Sequence, residues 1–238
     1  MIINAREFNN QELNLKIKES TDIEIELKNV IGERYIGTGV VGKKINIEGI
    51  PGNALGAYLN RTEINVKGNC QDAMGDTMNS GKIVVYGNSG DATGYSMRGG
   101  EIYIKGNAGY RLGIHMKEYE EQKPLIVVGG SVGDFLGEYQ AGGTIIILGL
   151  NSTSNCPVGA FCGTGMHGGN VYIRSSIQPR NLPKQVICEE LENGLEIKDK
   201  LILFSELFGE DIDLLVNSRY YKLSPNANNQ YKQLYVNN

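Results

Sequence analysis

Cys156 and Cys162 stand six residues apart around Pro157, with His167 shortly after, and thiols with an imidazole are the donor set of a zinc-type site. Their spacing matches no standard metal motif, and Cys70 and Cys188 lie far off in the chain. Reduced thiols, buried or in loops, are the simpler reading. A nucleophilic cysteine would need a nearby cation to lower its pKa, which no local pattern supplies. Asp72 and Asp91, 19 residues apart with Asp76 close by, suggest paired carboxylates for acid/base work on an extended polymer, or turn caps. Capping is the stronger reading. The run GGSVGDFLG at 129–137 looks like a phosphate loop, but strand-like runs flank it on both sides, where a phosphate loop needs a helix to follow. Arg111 and His115 fall in GYRLGIHMKEYEEQK, residues 109–123, whose cations and acids suit a surface contact.

These residues must be positioned by a repeat. The runs KINIEG, EINVKG, KIVVYG and EIYIKG end at Gly49, Gly68, Gly87 and Gly106, separated by 19 residues each time. PLIVVG and TIIILG continue the series to Gly129 and Gly149, at steps of 23 and 20, and NVYIRS ends it at Ser175 after a step of 26. Other positions keep step: Gly56, Gly75, Gly94 and Gly113 seven residues after the anchors, then Met78, Met97 and Met116 ten after. Gly163 and Met166 restore the spacing later, and Asn69, Asn88 and Asn107 directly follow three anchors.

A period of about 19 residues is too short for a βαβ unit of roughly 30. It predicts an all-β, right-handed parallel β-helix of about seven coils, with strands stacked about 4.8 Å apart and equivalent side chains in columns. Glycine would turn the corners, methionine would fill the interior, and the asparagines would form an amide ladder. The expected domains are an N-terminal cap or lead-in at 1–22, the repeat domain at 23–178, and a C-terminal helical segment with an extended tail at 179–238. The helices are expected near 184–209, with Tyr220, Tyr221, Leu223 and Tyr235 packing on the repeat. Two places break the period, residues 109–123 and 150–168, and irregular loops on a regular scaffold are where specific contacts concentrate. Arg111, His115, Cys156, Cys162 and His167 are therefore the candidate interaction residues.

A net charge of −4 offers no cationic field for nucleic acid or anionic membrane, so neither partner is expected. No apolar run reaches the roughly 18 residues that span a bilayer, and the first residues lack a signal-peptide core, which predicts a cytoplasmic chain. Thirty-two glycines against six prolines would suggest low complexity were the glycines not periodic.

The stretch GNCQDAMGDTMNSGKIVVYGNSGDATGYSMRGGEIYIKGNAGYRLGIHM at 68–116 resembles the glycine-repeat (GXGXG) domain at the C-terminal end of glutamate synthase large subunits. The tail, with LSP at 223–225 and QLY at 233–235, looks like stand-alone versions of it, and the domain is also similar to one of the chains of formylmethanofuran dehydrogenase. The resemblance implies a right-handed β-helix with no catalytic, cofactor-binding or metal-binding residues of its own. It also implies partner chains, an amidotransferase and a flavin and iron–sulfur synthase, that convert glutamine and 2-oxoglutarate to glutamate. An isolated chain without activity is expected, and a homo-oligomer stays open. The alternatives are a subunit of a formylmethanofuran dehydrogenase-like complex and an independent polymer-acting β-helix enzyme.

Overall fold

The computed structural model describes residues 1–226. Tyr235 and the QLY stretch at 233–235 lie outside the described residues. The strands are β1 (Ile2–Asn4), β2 (Glu24–Ile31), β3 (Lys44–Ile50), β4 (Thr62–Val66), β5 (Gly81–Val85), β6 (Glu101–Ile104), β7 (Leu125–Val128), β8 (Ala141–Ile147), β9 (Gly168–Arg174), β10 (Val186–Leu191) and β11 (Tyr220–Pro225). Three helices accompany them: α1 (Asn10–Glu19), α2 (Lys198–Phe208) and α3 (Ile212–Val216).

The expected right-handed β-helix of about seven coils is corrected by this architecture. Eleven strands form a single mixed sheet in the order β1-β2-β3-β4-β5-β6-β7-β8-β9-β11-β10. The first nine pair in parallel, whereas β11 runs antiparallel to both β9 and β10. The repeat specifies each strand's pairing with the next, because equal spacing brings like residues side by side, but it is silent about the segments before and after it. Those segments add β1 at one edge and the antiparallel pair at the other. The range expected to be helical, 184–209, opens instead with β10, and helix begins only at the 3-10 turn Leu195–Ile197 that leads into α2.

Register explains the columns. Ile45, Ile64, Ile83, Ile102, Ile126 and Ile145 are successive partners, all buried in the main apolar core. A fully buried isoleucine contributes about 1.5–3 kcal/mol, so this column, with the equally buried one through Ile47, Val66, Val85, Ile104, Val128 and Ile147, is a main source of the sheet's stability. Ile104 pairs with Val128, which makes Gly130 rather than Gly129 the counterpart of Gly106. Adjacent glycines hid that one-residue offset in the sequence. Met78, Met97, Met116 and Met166 are buried in the same core.

The opposite face changes character along the sheet. Asn46 and Asn65 occupy it on β3 and β4, hydrogen-bonded to each other at 3.0 Å, but Val84, Tyr103, Val127, Ile146 and Tyr172 follow on β5 to β9. That apolar stretch is covered by α2, through Leu201, Phe204 and Phe208, and by Leu215 and Val216 of α3 with Tyr220 of β11. At the other end, the side chain of Asn9 accepts from the backbone N–H groups of Gln11 and Glu12 and starts α1 with a capping box, while Leu13 and Ile17 seal the core.

Candidate functional site

Between one strand and the next, each repeat makes a five-residue turn in which alternate residues adopt positive φ. In the turn 111–115, Arg111 (φ 56°), Gly113 (φ 70°) and His115 (φ 56°) do so, and Phe135, Gly137 and Tyr139 (φ 62°, 65° and 54°) follow one repeat later. The middle residue points inward. A Cβ on Gly94 would lie 2.4 Å from Ile126 Cδ1, and one on Gly113 would lie 2.4 Å from Ile145 Cδ1, so only glycine fits over the core. Positions two residues either side face outward, and backbone hydrogen bonds between repeats hold them: Arg111 N–H to Asp134 O and His115 N–H to Glu138 O, both 2.9 Å.

Large side chains occupy these outer positions over the last three repeats, except at Gly165. His115 stacks on Tyr139 with ring centroids 5.2 Å apart and planes 9° from parallel, and Tyr95 meets His115 edge-on at 5.9 Å. Beside this row, Phe135 stacks on Phe161 at 5.2 Å, and the Arg111 guanidinium lies 5.5 Å from the Phe135 ring. Arg111 also pairs with Glu138 at 3.4 Å, a carboxylate whose side chain is only 12% exposed. Tyr95, Tyr139 and Phe161 are exposed, so the surface is a rigid aromatic platform edged by one cation. It unites Arg111 and His115, the two candidates of the first irregular segment, with Phe135, Tyr139, Phe161 and Glu138, which the sequence reading did not single out. The signal was available in principle: each lies within two residues of a repeat glycine.

The second irregular segment behaves differently. Cys162 is buried, its Sγ lies 3.4 Å from the Gly159 carbonyl oxygen, and burial pushes its thiol up to about 12. Burial likewise raises Cys70 and Cys188, so none of these three is an activated nucleophile. His167 places Nδ1 3.1 Å from the Gly165 carbonyl oxygen. Cys156, Cys162 and His167 do not form a three-ligand set, and among the described residues no group of three or more His, Cys, Asp or Glu side chains could hold a metal ion.

The aspartates link repeats. Asp72 Oδ1 accepts from Asp91 N–H at 2.9 Å, and Asp91 Oδ1 accepts from Tyr110 N–H at 2.8 Å. Each carboxylate is thus used to link one repeat to the next, which is the turn-capping role rather than that of a paired acid/base site. The asparagines act alike. Asn69, Asn88 and Asn107 accept from the N–H of Asn88, Asn107 and Ser131 at 2.7–2.8 Å, so their ladder runs from side chain to backbone rather than amide to amide. The Asn88 carbonyl also explains Gly106, where an added Cβ would meet it at 2.3 Å.

A family model described as the GXGXG motif matches residues 3–208. The chain belongs to the GXGXG motif family. An uncharacterized protein of Methanocaldococcus jannaschii is 42% identical over 251 residues, covering 99% of this chain and 96% of that protein. Among solved structures, a chain of the formyltransferase/hydrolase complex from Methylorubrum extorquens, crystallised with methylofuran, superposes with a TM-score of 0.65 at 22% identity, covering 87% of this chain and 79% of that one. At that identity the likeness shows the fold alone. The GXGXG name has a physical counterpart in the turns: every second residue needs positive φ, but only the middle one also faces the core. The outer two point away from the core, and in this GXGXG chain residues 111–161 place arginine, histidine and aromatic rings there, while at Gly165 the Tyr139 ring leaves no room for a Cβ.

Proposed function

We propose that this GXGXG chain is a non-catalytic structural and interaction subunit of a multi-protein complex, and that the platform of Arg111, His115, Phe135, Tyr139 and Phe161 is the surface it presents to a partner chain. One observation carries the reading. Five large side chains sit in a strained backbone conformation while facing solvent, where each costs stability instead of adding to the core. Aromatic residues with an arginine are the composition of interface hot spots. Family membership supports a glutamate-synthase-type complex in particular, with amidotransferase and flavin and iron–sulfur synthase chains as partners and glutamate formation on those chains. Under this reading the subunit uses no cofactor of its own.

A second reading is favoured by the superposition on a chain of the formyltransferase/hydrolase complex: the same scaffold beside formyl-transferring chains. Affinity purification of the tagged chain from its native cells, with mass spectrometry of the stoichiometric partners, separates the two. Amidotransferase and synthase chains support the first, and formyltransferase-type chains the second. Glutamate synthase turnover by the isolated chain at the rate of a complete enzyme would overturn both.

A further inference from the structure

Where the second irregular segment folds over the end of β9 and meets the turn between α3 and β11, it borders an open pocket of about 500 Å³. Gly149, Ser152, Asn155, Arg174, Ser218 and Arg219 contribute to its wall. Both ionisable residues of the lining are arginines, and among the described residues no carboxylate lines the space. Arg174 is half-buried and fixed at two points: Nε donates to Ser218 Oγ at 2.8 Å and Nη1 to the Leu148 carbonyl oxygen at 2.9 Å. That leaves Nη2 as the guanidinium nitrogen without a hydrogen bond among the described residues. Arg219 pairs through Nε with Glu190 at 3.2 Å, outside the lining, and its terminal nitrogens stay uncommitted among the described residues. The wall is rigid: Ser175 and Ser176 both donate to the Asn155 carbonyl oxygen, at 2.8 and 3.2 Å, which ties the inserted segment to the end of β9.

We infer that this pocket binds a phosphate group, with Arg174 and Arg219 as its two guanidinium ligands. A guanidinium presents paired donors that match the edge of an oxyanion, and an arginine already immobilised by its other nitrogens loses little entropy on binding. Two guanidinium groups on a lining that holds no carboxylate among the described residues favour an anion over a cation there, with Glu190 already pairing one of them from outside the lining. The volume exceeds what a lone phosphate ion fills and lies in the range of small-ligand sites, which points to a phosphate monoester. The site lies in a different segment from the aromatic platform and does not depend on the partner reading.

The test is isothermal titration calorimetry of the full chain with inorganic phosphate and, separately, glycerol 3-phosphate, at ionic strength held constant with chloride. Saturable binding at one site per chain with a Kd of about 1 mM or tighter is expected for at least one probe. Tighter binding of the monoester assigns an esterified ligand, and equal binding assigns the phosphate group itself. Arg219→Gln should weaken binding at least about five-fold, and Arg219→Lys by less, because lysine keeps the charge but not the fork. Arg219 is half exposed, so its variants should keep the parent's circular dichroism and Tm without phosphate. Absence of saturable binding for both probes overturns the proposal, as does binding that neither Arg219→Gln nor Arg174→Lys alters.

Discussion

The outer residues of each turn, such as His115 (φ 56°) and Phe161 (φ 61°), hold a conformation that costs an L side chain about 1–2 kcal/mol. Their middle neighbours cannot change at all without disturbing the core. Gly94→Ala adds a methyl 2.4 Å from Ile126 Cδ1 at φ 72° and should lower unfolding stability in urea by about 2–4 kcal/mol. His115→Gly and Phe161→Gly should behave oppositely. Relief of the strained φ offsets the lost ring contact, leaving stability within about 1 kcal/mol of the parent, while co-purification of the partner falls away. A large loss of stability in either variant would mean that the platform serves the fold. The thiols differ by burial in the same way. At pH 8 a thiol pushed up to about 12 is ionised to only about 10⁻⁴, so iodoacetamide should modify Cys156 well before Cys162, read by peptide mass spectrometry. The repeat glycines were legible at this scale because a steric requirement leaves one residue type. For the aromatic platform only the positions were legible, beside the repeat glycines, since the residue types there vary from turn to turn.

At the scale of elements, the strands follow from their own letters, and the helices follow from what the strands leave uncovered. Outward positions read Asn46 and Asn65 on the early strands, then Val84, Tyr103 and Val127, so the sheet itself marks where a helix must lie. Phe204 on α2 fills the centre of that cover, with its ring 4.8 Å from Phe208. Phe204→Ala should cost about 3–5 kcal/mol and speed hydrogen exchange in α2 and α3 ahead of the parallel strands. Exchange that quickens equally everywhere would show that helices and sheet open as one unit. The segment 186–191 reads as helix in the sequence because VICEEL carries charges suited to a helix surface, whereas in the fold those charges sit on an edge strand, where they discourage further pairing.

For the whole molecule, one continuous sheet runs from β1, where Leu13 and Ile17 of α1 join the core, to β10 at the opposite edge. Ending the chain at residue 178 would strip β9 of its antiparallel neighbour and bare Tyr103, Val127 and Ile146. That variant should elute from size exclusion as large aggregates where the full chain runs as a discrete species. A discrete, folded truncation would show that the repeat region is self-sufficient and that the segment 179–226 serves another purpose. None of the described helices is long and apolar enough to cross a membrane.

The period, the family and the columns up to Gly106 are readable from the letters alone, because parallel pairing at equal spacing forces equivalent residues to have equivalent chemistry. The letters also mark the two irregular segments. That the strands form one mixed sheet with an antiparallel end emerges only on folding, since strand order beyond the repeat depends on which apolar face the last segments find to cover. Folding also lays Arg111 and His115 on Phe135 and Tyr139, and puts Arg174 and Arg219 on the wall of one pocket. Those neighbours are 24 and 45 residues apart in the chain, and no local pattern encodes a meeting that the register and the returning strand create.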